Sequence, residues 1–210
     1  MNAGPKVTFF HGINSRSTGA RILLEELGAD YELKLLNFKT GEQRAPDYLA
    51  INPMGKVPAV LHDGALVTEQ VAVFIYLADL YAGAGLAPPI GDPLRGPYLR
   101  WIAFYGACYE PAVIDRSQQR APAPPSTSPY GDFDTMFKTL CDQLARADYI
   151  LGERFTAADV LWGTALEWTT GFGLVPATPD ISAYIERVMS RPAAQRVKSD
   201  DARLAAAQGS

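Results

Sequence analysis

Val57, Pro58, Glu69 and Gln70 have the types and spacing to hold a short peptide. The turn-rich run Asn52-Pro53-Met54-Gly55-Lys56 leads into Val57-Pro58, after which Ala59–His62, Asp63-Gly64 and Ala65–Val67 read as strand, two-residue turn and strand. Proline has no N–H to give to a sheet ladder, so Pro58 belongs at the mouth of its strand, where a cis bond turns the backbone. Val57 then offers its N–H and C=O to something outside the sheet. Thr68-Glu69-Gln70 opens the following helix, whose first N–H groups attract a carboxylate. Together these features make a peptide-binding edge.

The flanking elements are those needed to build a sheet around that edge. Val7-Thr8-Phe9-Phe10 is a β-type run ended by His11-Gly12 and the polar loop 13–17. Ala20, Leu23, Leu24 and Leu27 then recur at helical spacing, with Gly28 placed to close the helix. Residues 31–35 alternate as a second strand, so residues 7–35 form a right-handed βαβ unit. Residues 39–50 read as a loosely wound helix or long loop. Val73, Tyr76, Leu77 and Leu80 give the next helical stripe, completing a βαβ-ββα domain over residues 1–81.

Residues 82–93 are rich in glycine and proline and read as a linker. Residues 94–210 lose the strand signal and read as all-helical. Tyr98, Trp101, Ile102, Tyr105 and Tyr109 mark one helix, kinked by Pro111. The proline-stiffened segment 120–129 connects it to a helix marked by Phe133, Phe137, Leu140, Leu144 and Leu151. Thr156 and Asp159 form a capping box that starts a buried helix through Trp162 and Leu166. Ile181, Tyr184, Ile185 and Val188 give a final stripe, and residues 205–210 read as a frayed tail.

At 210 residues, 48% hydrophobic and 20% charged, the chain has ordinary globular composition and enough length for two cores. A formal net charge of −4 with no basic block argues against a nucleic-acid or anionic-membrane partner. No apolar run reaches the roughly 20 residues of a membrane span, and residues 1–6 lack the order of a signal peptide, so the expected location is cytoplasmic. Cys108 and Cys141 stand apart without a C-x-x-C and read as reduced core residues, which argues against thioredoxin-type disulfide chemistry.

The run Asn52 through Val60, Thr68-Glu69-Gln70, Leu24-Glu25-Glu26-Leu27-Gly28 and Phe155-Thr156-Ala157-Ala158-Asp159 together resemble the cytosolic glutathione transferases in order and spacing, over nearly the whole chain. The resemblance implies an α/β plus all-α architecture: a thioredoxin-like N-terminal domain followed by an all-helical C-terminal domain. It also implies a cytoplasmic homodimer, glutathione as co-substrate, no metal, and a small hydrophobic electrophile as second substrate. Val57, beside a cis Pro58, would pair with the cysteinyl part of glutathione. Glu69 would meet the γ-glutamyl ammonium, and Gln70 with the helix start its carboxylate. Gln70 departs from the serine usual there, keeping a donor but changing its reach. Lys39 and Lys56 are candidates for the glycyl carboxylate.

The resemblance, to bacterial serine-dependent members, places the activating hydroxyl nearest Ser15, with Ser17 the rival. Arg16 occupies the slot where some bacterial members keep a cysteine, which argues against mixed-disulfide chemistry. Lowering a thiol pKa by about two units takes roughly 2.7 kcal/mol. One hydroxyl hydrogen bond supplies about 1 kcal/mol and a helix N-terminus about 0.3 to 1, so Arg16 is the candidate supporting cation. The alternative reading has Ser15 and Ser17 capping the helix and Arg16 solvated. The electrophile pocket is expected to draw on His11, Phe104, Tyr105 and Cys108. Since Phe104 and Tyr105 cannot both face the core, one of the two is free to meet an apolar substrate. A non-catalytic binding or scaffold protein of the same fold is the competing function.

Overall fold

The computed structural model describes residues 6–209. The signal-peptide reading of residues 1–6 rests on residues 1–5, which, with Ser210 of the tail reading, lie outside the described residues. By internal packing the chain divides into two compact units, one running to Leu86 and taken up again from Ser190, the other spanning Ala87–Met189.

The first unit is built on a four-stranded sheet of order β2-β1-β3-β4, from β1 (Lys6–His11), β2 (Asp30–Leu35), β3 (Ala59–His62) and β4 (Ala65–Val67). β1 and β2 are parallel and joined through α1 (Ser17–Leu27), while β3 runs antiparallel to both β1 and β4. Gly28 closes α1 at φ 61°, the left-handed conformation a helix end takes most easily at glycine. The hairpin turn sits on Asp63 and Gly64, both with positive φ. The expected loose stretch 39–50 is a 3₁₀ turn followed by the one-turn helix α2 (Pro46–Leu49). Helix α3 (Gln70–Leu80) follows the hairpin. Phe9, Ile22, Leu23, Leu24, Val60, Phe74 and Leu77 are fully or almost fully buried in this core.

The second unit is helical, with α4 (Arg95–Phe104), α5 (Glu110–Ser117), α6 (Phe133–Leu144), α7 (Ala157–Gly171) and α8 (Pro179–Met189). The single helix expected through Tyr109 is interrupted by a π turn at Tyr105–Tyr109. Pro111 lies two residues beyond it. Its missing N–H and its ring disfavour the regular ladder to the carbonyl four residues back, which accounts for the wider turn ahead of it. Leu151, expected on the next helix, lies beyond its end near the Tyr149–Gly152 bridge. Trp162 is the centre of this core, packing edge-on against Trp101, Tyr105 and Tyr109.

The capping box forms and does more than cap. Asp159 is fully buried, and Oδ2 accepts from the Thr156 N–H at 2.8 Å and the Thr156 hydroxyl at 3.0 Å. Its Oδ1 accepts from the Ile150 N–H at 2.7 Å and the Tyr184 hydroxyl at 2.8 Å, joining the 150 turn, α7 and α8. Burial nevertheless outweighs these bonds and holds the carboxyl above the usual range. Gly163 lets α7 and α8 approach, since a Cβ there would lie 2.5 Å from Val188 Cγ1.

The chain end differs from expectation. The tail read as frayed continues the helix α9 (Pro192–Gly209), and α9 belongs to the first unit, whereas residues 94–210 were expected to form one helical domain. Arg191, just ahead of α9, makes a two-pronged pair with Glu26 on α1, 2.8 Å at each contact, and Asp201 on α9 pairs with the largely buried Arg21 of α1 at 2.6 Å. These charge-assisted bonds pin α9 along α1. No helix among the described residues is long and apolar enough to cross a membrane.

Candidate functional site

Three segments of the first unit converge at one end of its sheet. Phe10 pairs with Ala59 across the antiparallel β1–β3 ladder, so the chain leaving β1 runs beside the chain approaching β3. That brings the 12–16 loop next to Val57-Pro58. The Val57-Pro58 bond is cis, and Val57 precedes the first ladder residue, Ala59. The backbone ahead of it is held firmly: the Lys56 carbonyl accepts from the Tyr48 hydroxyl at 2.6 Å and from Asn52 Nδ2 at 2.9 Å. Gly55, at φ 58°, packs so closely that a Cβ would sit 2.6 Å from the Gln43 carbonyl oxygen. The edge is therefore preformed, with Val57 outside both ladders.

The third segment is the start of α3. Glu69 precedes the helix at φ 62°, ψ 118°, a conformation costly for a residue with a side chain. Its carboxylate is exposed and accepts from the Thr68 hydroxyl at 3.0 Å. Gln70 Nε2 donates to the Arg16 carbonyl at 3.4 Å, tying this helix start to the 12–16 loop.

The two candidate serines occupy different environments. Ser15 is half-buried; its Oγ lies 2.6 Å from the Gly12 carbonyl oxygen and 2.7 Å from Ser17 Oγ, and accepts from the Ser17 N–H at 3.2 Å. Ser17 is fully buried, with Oγ 2.7 Å from His11 Nδ1 and accepting from the Gly12 N–H at 3.0 Å. Ser17 thus has no surface for an incoming ligand, and of the two only Ser15 does. Arg16 is exposed at the N-cap of α1.

Other expected site residues lie elsewhere. His11, expected in the electrophile pocket, is fully buried and turned to Ser17 and Asp201, so it offers a substrate nothing. Tyr105 is buried against Trp162 and Tyr109, while Phe104 is half-buried against Trp101; of this pair Phe104 keeps surface. Cys108 is a half-buried free thiol near the Pro129 carbonyl, and burial pushes it above the usual thiol range; Cys141 is likewise free, half-buried and raised. Both are less buried than the core positions expected for them. Lys39 is exposed, with its Nζ near the Gly209 end of α9, and Lys56 is exposed with its carbonyl held as described.

Asp201, Arg21 and Thr18 were not legible as site residues. Asp201 Oδ1 lies 3.1 Å from His11 Nε2 and accepts from Arg21 Nη1 at 2.6 Å, while Oδ2 accepts from the Thr18 hydroxyl at 3.0 Å. Burial acts to raise this carboxyl, but the His11 ring, Arg21 and Thr18 more than offset it and hold it below the usual range. The one local signal was Arg21, a cation among buried helix neighbours that needs an anionic partner.

A thioredoxin-like domain whose strand opens at a cis proline, joined to a helical domain, defines a class, and comparison with known proteins agrees with it. The chain belongs to the glutathione S-transferase family: residues 5–79 match the family model of its N-terminal domain and residues 131–192 that of its C-terminal domain. A glutathione transferase from Methylococcus capsulatus is similar in structure, with 30% identity, a TM-score of 0.78 and coverage of 93% of this chain and 98% of that one. A glutathione transferase homologue from Sulfitobacter, solved with bound glutathione, aligns at 27% identity and TM-score 0.74 over 93% of this chain and 98% of its own. Glutathione S-transferase GstA of Escherichia coli O157:H7 is 28% identical over 89% of this chain and 94% of its own length.

Proposed function

We propose that this chain is a glutathione transferase that activates the glutathione thiol for attack on a small apolar electrophile. The observation that carries this reading is the convergence of the Val57 edge, the α3 start and the Ser15 hydroxyl at one end of the sheet. Val57 pairs its backbone with the cysteinyl residue, beside Pro58. Glu69 receives the γ-glutamyl ammonium, while Gln70 and the first N–H groups of α3 receive its carboxylate. Lys56 is the better placed of the two lysines for the glycyl carboxylate, given where Lys39 lies. Ser15 donates to the sulfur and Arg16 adds positive charge, which together favour the thiolate. The thiolate then forms a bond to carbon as the leaving group departs with the bonding electrons. The protein works as a cytoplasmic homodimer.

Retention on immobilised glutathione, followed by conjugation of a simple aryl halide, tests the reading. Binding with turnover is expected, and failure to bind would remove it. One observation favours the scaffold alternative: the Gln70 amide is engaged on the Arg16 carbonyl rather than open to a ligand. Binding of glutathione, with a Kd that responds to Gln70, separates the two.

A further inference from the structure

Ser15, Ser17, His11 and Asp201 form one hydrogen-bonded chain leading from the half-buried surface into the interior. The links are 2.7 Å from Ser15 Oγ to Ser17 Oγ, 2.7 Å from Ser17 Oγ to His11 Nδ1, and 3.1 Å from His11 Nε2 to Asp201 Oδ1. His11 and Ser17 are both fully buried and Asp201 keeps only 6% exposure, so the chain opens to the outside chiefly at Ser15.

Counting protons shows what this chain can do. A carboxylate only accepts, so the His11 Nε2 that faces Asp201 carries a hydrogen. A hydroxyl has one proton and two acceptor sites. One acceptor site of Ser17 Oγ is taken by the Gly12 N–H at 3.0 Å. With Nδ1 bare, Ser17 donates to His11 and its remaining site shares the Ser15 proton with the Gly12 carbonyl oxygen, which lies 2.6 Å from Ser15 Oγ and 3.1 Å from Ser17 Oγ. With Nδ1 protonated, His11 donates to Ser17, Ser17 donates to Ser15, and the Ser15 proton turns to the Gly12 carbonyl or to a ligand. The two orderings differ by one proton on His11 and by the direction of the Ser15 O–H.

Resting on the proposed function, we infer that His11 is the buried acceptor of the glutathione thiol proton, reached through Ser15 and Ser17, and that Asp201 positions it and stabilises its charged form. The thiol S–H bond breaks and its proton passes to Ser15 Oγ; the Ser15 proton passes to Ser17 Oγ and the Ser17 proton to His11 Nδ1. Each hydroxyl ends with one proton. The products are a thiolate facing the Ser15 O–H and an imidazolium held between Ser17 and Asp201. After the thioether leaves, the proton returns along the same chain to water. The charged or titratable groups around His11 are Asp201 and Asp200 on α9, Arg21 on α1, which bonds both carboxylates, and Tyr31 on β2, which bonds Arg21; Phe9 of β1 stacks on the ring at 5.9 Å.

Asp201→Asn is the discriminating variant. An amide can keep its oxygen toward His11 and Arg21 and its nitrogen toward the Thr18 hydroxyl, so the geometry survives and only the charge is lost. Glutathione affinity is expected to stay within about 2-fold, kcat for aryl halide conjugation to fall roughly 100-fold, and the acid limb of the pH profile, where a protonated His11 no longer accepts, to move to lower pH. His11→Gln is expected to show the same loss. Nitrogen NMR of the histidine-labelled wild-type protein gives a reading independent of any variant's folding: Nδ1 is expected to be bare in the free protein at pH 8 and protonated when glutathione is saturating. An Nδ1–H tautomer in the free protein, or a wild-type pH profile in a folded Asp201→Asn protein, would overturn the relay while leaving the transferase reading intact. Absence of glutathione binding to the wild-type protein by calorimetry would overturn the transferase reading and the relay with it.

Discussion

Gln70 Nε2 donates to the Arg16 carbonyl oxygen at 3.4 Å, so the first residue of α3 braces the loop that presents Ser15. A serine at position 70 could not span that distance. The amide therefore serves the shape of the loop.

Gln70→Ala is expected to raise the Kd for glutathione about 5- to 10-fold, the loss of one hydrogen bond of roughly 1 kcal/mol. Isothermal titration measures it. A Kd unchanged by the substitution would remove Gln70 from the binding site.

Ser15→Ala is expected to lower kcat roughly 30-fold, about 2 kcal/mol, while the Kd for glutathione changes little. In the proposed mechanism the hydroxyl acts on the sulfur as it becomes charged, so its loss is felt in turnover rather than binding. Equal losses in kcat and affinity would instead make Ser15 a plain binding or capping group.

Asp201 links acid stability to α9. Its native carboxyl is held below the unfolded value of about 3.9, so its stabilisation is fully present above that pH and fades as pH falls through the lower native value. Asp201→Asn should flatten the fall in stability below about pH 4 and lower stability at neutral pH by roughly 1 to 3 kcal/mol. Urea unfolding at a series of pH values provides the comparison, and parallel curves for the two proteins would contradict it.

Asp159→Ala would leave the Ile150 N–H, the Thr156 N–H and the Tyr184 hydroxyl without their acceptor inside the helical unit. A loss of about 3 kcal/mol is expected, lowering Tm by roughly 6 to 12 °C. Thermal unfolding followed by circular dichroism would show it, and a Tm within about 2 °C of wild type would mean that water replaces the carboxylate.

Much of the fold was legible because its signals are local. The alternation in residues 31–35, the Asp63-Gly64 turn, Gly28 at the end of α1 and the Thr156/Asp159 box all act within a few residues of themselves, and each forms as its pattern requires. The peptide edge is legible for the same reason, since a strand-mouth proline and a helix start are properties of short stretches. Two expectations failed where the deciding contact was distant: the final helix joins the first unit, and His11 turns inward.

The sequence by itself determined which residues could bind a peptide and which stretch could supply a hydroxyl. It did not choose between Ser15 and Ser17. That choice came from tertiary packing: α9 brings Asp201 to His11 across 190 residues of chain, His11 engages Ser17, and Ser15 is left as the serine with surface. Periodicity reports which face of a helix is buried, but not which distant charge the burial brings to it. The partner of a buried polar group is set by the fold as a whole.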